Sequence, residues 1–210
     1  MTLLWQPWTE QQPHWPDAGR CILAQHDDAT VVVYQAFSAG IADHAVATGR
    51  LDGGGFSLSR MSWIKPNFLW MMFRCGWATK PQQERVLAVR LRREGFDALF
   101  AQAVPSSWDR DRYPTRADWE AAVKTSDVRP QWDPDHGPGG EPLPRRAVQL
   151  GLRGEALRRY VHTWTVSLED ITPAVRAQHA ALLGGGLAAL STPVERPYLA
   201  AHGSPGEDRV

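Results

Sequence analysis

Residues 56–80, FSLSRMSWIKPNFLWMMFRCGWATK, carry the longest strongly apolar run of the chain, residues 68–73, directly behind Ser57, Ser59, Arg60 and Lys65. Hydroxyl and cationic groups are thereby held against a buried anchor, which is how a binding site is commonly built. Pro66 suits the first turn of a helix and Gly76 its left-handed stop. Between them the residues are apolar on nearly every side, which predicts a central, buried helix rather than an amphipathic one. Residues 56–63 read as a strand leading into it, and Gly53-Gly54-Gly55 as the turn before that strand. These glycines lack the spacing of a dinucleotide fingerprint or a P-loop.

Upstream, residues 20–25 and 30–37 are rich in Ile and Val and read as two strands of a hairpin around His26-Asp27-Asp28-Ala29. A period of two sets Val31, Val33, Gln35 and Phe37 on one face, so the polar Gln35 interrupts an apolar surface, and Tyr34 faces the other way. Ser38 and Gly49 bracket a short helix over residues 39–48. Downstream, residues 82–93 alternate as a strand with Arg90 and Arg92 on one face. Residues 95–104 follow as a helix, and Thr115-Arg116-Ala117-Asp118 is a capping box with Asp in place of Glu.

Residues 127–144 hold five prolines and three glycines and predict a long loop. Residues 145–152 return to strand, with Ala147, Gln149 and Gly151 on one face, which leaves room beside the Gln149 amide. Residues 154–161 read as a helix, 164–168 as a strand and 172–183 as a last helix with Thr172-Pro173 at its start. The expected organisation is an irregular Trp- and Pro-rich arm over residues 1–18, one α+β domain over 19–186 and a loosely attached tail over 187–210.

Composition narrows the function classes. The 23 basic and 23 acidic residues leave no net field drawing the whole molecule to nucleic acid or an anionic membrane. Cys21 and Cys75 lie in no CxxC pair and near no His at metal-ligand spacing, so they read as reduced thiols. The N-terminus lacks a signal-peptide pattern and no apolar run approaches ~20 residues, so the expectation is a soluble, cytoplasmic protein without a membrane partner. Neither a GxSxG elbow nor a paired His and Cys cluster supports hydrolase or zinc chemistry. What remains is Tyr34, Gln35, Ser57, Ser59, Arg60, Trp63, Lys65 and Gln149. Amides read base or nicotinamide edges, hydroxyls meet ribose, an aromatic ring stacks and a cation takes phosphate.

The blocks TVVVYQAF (30–37), SRMSWIKPNFLWMMFRCGWATK (59–80), QERVLAVRLRREGF (83–96), RPQWDP (129–134) and RRAVQLGL (145–152) resemble the family known as domain of unknown function 4291, over about residues 20–173. The order of elements is also similar to the ADP-ribosyltransferase superfamily. That similarity implies a split, mixed and antiparallel sheet with short flanking helices that grips NAD as substrate. It implies Gln35 at the first-strand ribose position, Ser57 or Ser59 at the supporting position and Gln149 at the late-strand catalytic position. Tyr34, Arg60, Trp63 and Lys65 would complete the NAD site. Two departures stand out: neither His nor Arg occupies the first position, and Gln replaces the Glu that stabilises a developing cation.

The sequence therefore leads to a nucleotide-binding domain that transfers ADP-ribose to a nucleic-acid or protein acceptor. The alternatives are a non-catalytic nucleic-acid or nucleotide-binding module using Arg60, Lys65, Arg90 and Arg92, and an interaction protein docking through the Trp-rich arm and the proline loop.

Overall fold

Residues 2–200 are described in the computed structural model of the chain. Strand β1 (Trp5–Pro7) and helix α1 (Trp8–Gln11) lead into β2 (Gly19–Arg20), β3 (Leu23–Ala24) and the long β4 (Thr30–Phe37). Helix α2 (Ala39–Thr48), β5 (Ser62–Ile64), α3 (Phe68–Cys75) and β6 (Arg85–Arg92) follow, then α4 (Arg93–Ala101) and α5 (Arg116–Thr125). Strands β7 (Val128–His136) and β8 (Pro142–Leu152), helix α6 (Gly154–Arg159), β9 (Thr165–Asp170), α7 (Thr172–Gly185), β10 (Ser191–Pro193) and β11 (Arg196–Pro197) complete the chain. The architecture is mixed α+β with several sheets and no barrel among the described residues.

Two sheets carry the fold. In the first, β4, β6 and β9 lie antiparallel in that order, with Val33 opposite Val89 and Val89 opposite Leu168. In the second, β8 is central. Residues Leu150–Leu152 of β8 pair with both β7 and β5, so those strands flank β8 from opposite sides, and β2 adds a short parallel pairing at Arg145 and Arg146. The sheets meet where β5 ends: the Lys65 N–H donates to the Tyr34 carbonyl at 3.2 Å, and the Tyr34 N–H donates to that of Lys65 at 2.7 Å.

The unbroken apolar run of β4 is explained by burial on both of its faces. Val31 and Val33 join Leu87, Val89, Leu91, Val148 and Leu150 in one core, closed by Phe96 and Phe100 of α4. Val32 and Tyr34 join Val86, Phe68 and Met72 in the other, under α3 and α7. Helix α3 starts two residues later than its proline implies: Asn67 is the cap, its Oδ1 accepting the Trp70 N–H at 2.7 Å. Gly76 closes the helix at φ 59°, as expected of a left-handed stop.

Four sequence expectations need correction. The strand expected over residues 56–63 is confined to Ser62–Ile64 because residues 54–60 are turns. The long proline loop is instead β7, a tight turn and the first part of β8. Among the described residues strand β7 pairs only with β8, and an edge strand tolerates Pro130 and Pro134 because their missing N–H groups need no partner on the open side. The arm is not irregular throughout and the described part of the tail is not loose: β1 pairs with β10 and β3 with β11, Gln11 Nε2 donates to the Thr192 carbonyl at 3.1 Å, and Trp15 Nε1 donates to that of Glu195 at 2.9 Å. Residues 201–210 of the expected tail lie outside the described residues.

This clasp buries Glu195, only 2% exposed, with Oε1 accepting the Phe68 N–H at 2.6 Å. Burial, with Asp135 nearby, pushes its carboxyl well above the usual range. A carboxyl raised by folding binds its proton more tightly in the native state. Its contribution to stability is thus full below the ordinary carboxylate pKa and is lost as pH rises through the folded value. Glu195→Gln keeps the acceptor for Phe68, so it should raise the denaturation midpoint at pH 7 and leave it unchanged at pH 4. Paired urea melts at the two pH values check this.

Candidate functional site

A cavity of about 340 Å³ opens where the two sheets part, lined by β4 at Gln35, by Ser62, Trp63 and Lys65 of β5 and its end, by Arg74 of α3, and by Gln149 of β8. Lys65 is its centre. The residue is only 5% exposed, yet its ammonium has no hydrogen-bond or ion-pair acceptor among the described residues; it sits over the Trp70 ring, 5.0 Å from the centroid. Desolvation, reinforced by the Arg74 guanidinium, pulls its pKa down to about 8. Helix α3 fixes this arrangement: Trp70 is held by its Nε1 donating to the Pro134 carbonyl at 3.1 Å, and Arg74 lies one helical turn further on.

The far wall is a hydrogen-bonded triad on β7 and β8. Gln131 and Gln149 face each other across the ladder, and each donates through Nε2 to Asp133 at 2.9 Å, one to Oδ1 and the other to Oδ2. Each amide gives one proton to the carboxylate, which leaves the Gln149 carbonyl oxygen and its second amide proton for a ligand. Trp63 can lie across β8 because its partner is Gly151, where a Cβ would come within 2.9 Å of the indole and 2.7 Å of the Met61 sulfur. The room expected beside Gln149 is therefore taken by an aromatic ring. Chemically, the cavity offers two cations, an aromatic ring and an acceptor oxygen in its lining.

The structure gathers Gln35, Trp63, Lys65 and Gln149 around one cavity, but their roles differ. Gln35 is buried and saturated: Nε2 donates to Ser62 Oγ at 2.8 Å and to the Trp63 carbonyl at 3.0 Å, and Oε1 accepts the Tyr160 hydroxyl at 2.7 Å. It staples β4 to β5 and has no donor to spare for ribose. Tyr160→Phe should leave that amide oxygen unpaired and cost about 1–3 kcal/mol in a denaturant melt, without changing ligand affinity.

Tyr34 points into the opposite core, edge-on to Phe68 with centroids 5.5 Å apart, and does not reach the cavity. Ser57 and Ser59 bond each other at 2.9 Å in the turn before β5, and Arg60 is exposed beside them; none of the three lines the cavity. Arg90 is pinned within its own sheet, donating to Thr30 Oγ1 at 3.0 Å, and Arg92 is exposed.

Sequence reasoning passed over Arg74, Tyr160 and Asp133. Asp133 alternates with Gln131 at strand spacing, but Pro130 and Pro134 disguise the period. Tyr160 sits in a π-helical turn, Tyr160–Trp164, that no local pattern announces.

No helix among the described residues is long and apolar enough to cross a membrane. No curated protein matches the sequence. A family profile described as a domain of unknown function (DUF4291) matches residues 21–198, and it takes in every residue that lines the cavity. The chain belongs to the DUF4291 family.

Proposed function

We propose that the cavity binds a nucleotide, NAD or a close relative, with its phosphates on Lys65 and Arg74 and a ribose hydroxyl on the Gln149 carbonyl. The observation that carries this reading is Lys65. A largely desolvated lysine whose ammonium reaches the cavity without a protein acceptor is costly to keep charged, and an anionic ligand is the group that would compensate it. Trp63 offers a face for stacking and Gln149 an acceptor in the same cavity, which matches a ligand that carries both anionic and hydroxyl groups.

Transfer of ADP-ribose is the chemistry that the element order and the Gln149 position support. In that reaction the glycosidic bond to nicotinamide breaks, nicotinamide leaves with the bonding pair, and the acceptor nucleophile bonds to the ribose carbon and gives up its proton. Gln149 is neutral, but the Asp133 carboxylate lies one hydrogen bond behind it and can supply negative charge towards an oxocarbenium-like transition state.

Calorimetric titration of the intact protein with NAD, repeated on Gln149→Ala, tests the reading. Micromolar binding that weakens about tenfold or more in the variant is the expected result. Absence of heat from well-folded protein would overturn it.

A further inference from the structure

A second cavity, of about 710 Å³, lies between residues 105–111 and the outer strand of the second sheet, with Trp108, Arg110, Gln131, Trp132, Asp133 and Arg146 in its wall. The triad is the partition between the cavities: Gln149 lines the first, Gln131 and Asp133 line the second, and the Asp133 carboxylate is bonded to both amides. We infer that this second cavity receives an unpaired nucleobase of a single-stranded nucleic acid. Its role as the acceptor site rests on the nucleotide reading of the first cavity, but its capacity to bind does not.

Three features select that ligand. The partition offers acceptors beside donors: Gln131 gives one amide proton to Asp133, and its carbonyl oxygen and the Asp133 carboxylate are acceptors for ligand donors such as the exocyclic amine of a base, while its second amide proton can meet a base carbonyl or ring nitrogen. The wall carries two indoles. Arg20 lies 5.8 Å from the Trp132 centroid and Arg110 lies 5.1 Å from that of Trp108, the planar aromatic and guanidinium surfaces on which unpaired bases stack. The Trp132 Nε1 is buried without a hydrogen-bond partner among the described residues, a donor that a ligand carbonyl or ring nitrogen could meet only if the wall shifted to admit it.

The cations favour a nucleic acid over a basic peptide, the other class that an acceptor-rich wall could attract. Arg110 and Arg146 are exposed at the rim, and neither has a carboxylate partner within ion-pair distance among the described residues. Asp109 and Asp111 also line the cavity; Asp109 accepts the Asp111 N–H at 3.0 Å and the Arg112 N–H at 3.3 Å, which holds its carboxylate within the segment. A phosphate flanking the seated base would meet the two guanidiniums, whereas an arginine side chain entering the same mouth would be repelled by them. A duplex does not present a base in this way without paying to unstack it.

The test is fluorescence anisotropy of a short labelled single strand of mixed sequence and of the same sequence as a duplex, at one fixed salt concentration. It is repeated on the Arg110→Ala/Arg146→Ala double variant, with NAD calorimetry on the parent protein in parallel. Both substitutions are at exposed positions, so a melt should show the double variant folded. The expected result is single-strand binding that exceeds duplex binding and falls about tenfold or more in the double variant. No single-strand binding, equal binding of duplex, or unchanged affinity of the double variant would overturn the inference. If the strand profile holds while NAD gives no heat, the reading of the first cavity fails and the base site stands. If NAD binds and the strand does not, the base site alone fails.

Discussion

Arg145→Leu is expected to lower the stability of the folded chain by about 3–5 kcal/mol, the range for removing one partner of a buried ion pair. Arg145 donates through Nε to Asp135 Oδ2 at 2.8 Å and holds the same oxygen from Nη2 at 2.7 Å, and the two side chains are 6% and 1% exposed. Its third contact reaches the Pro16 carbonyl at 2.7 Å, so the guanidinium also ties the N-terminal segment to β8. Without it, Asp135 would share the interior with Glu195 and no counter-charge.

Burial already raises the Asp135 carboxyl and Arg145 opposes that rise, so the variant should push it higher still. The destabilisation should therefore be largest at neutral pH and shrink as acid protonates Asp135. Chemical denaturation across that range measures it. The Arg145→Leu/Asp135→Leu double variant should recover much of the loss, because no buried charge is then left alone.

Lys65→Met is expected to act on stability and binding with opposite signs. The native environment holds the ammonium at about 8 against an ordinary value of 10.5, which corresponds to a cost on the order of 3 kcal/mol whenever the folded protein keeps this lysine charged. Methionine fills similar space without the charge, so the ligand-free variant should be more stable at pH 7 by up to about that amount. The parent protein binds fewer protons folded than unfolded between pH 8 and 10.5, so its stability should rise with pH across that window, and the variant should lose the rise. Nucleotide affinity should fall by about 30-fold or more, since a charge-assisted contact to phosphate contributes about 2 kcal/mol or above in a desolvated site. A lysine kept only for structure would not pair gained stability with lost binding.

Much of this arrangement is legible in the chain. The apolar segment at residues 68–73, its left-handed stop at Gly76 and the strand over residues 30–37 follow from periodicity and capping alone, whereas burial of both faces of that strand is evident only in the fold. Lys65 and Gln149 stand out as polar groups at the end or on the face of apolar elements, and the structure brings them to one cavity. Gln35 stands out for the same reason, yet its environment saturates it. Its partner Tyr160 is distant in sequence, and no spacing rule links them.

Residues 127–144 predict a loop from their prolines and glycines, a rule that holds at the centre of a sheet and fails at its edge, where β7 accommodates Pro130 and Pro134. Asp133 was lost with that segment. The terminal clasp was lost because strands of two or three residues are too short to display a period, and their stability comes from long-range partners such as Gln11 with Thr192.

The central claim is that a charged Lys65 holds the phosphates of a nucleotide, and the most direct test is the pH dependence of ADP-ribose affinity, measured by calorimetry between pH 7 and pH 9.5. Binding of the anion requires the ammonium, so affinity should be steady below about pH 8 and then fall, by up to tenfold per pH unit, as the free protein loses that proton. Lys65→Met should show weak affinity without the fall. Tight binding that does not change over this range, or that survives in Lys65→Met, would contradict the account.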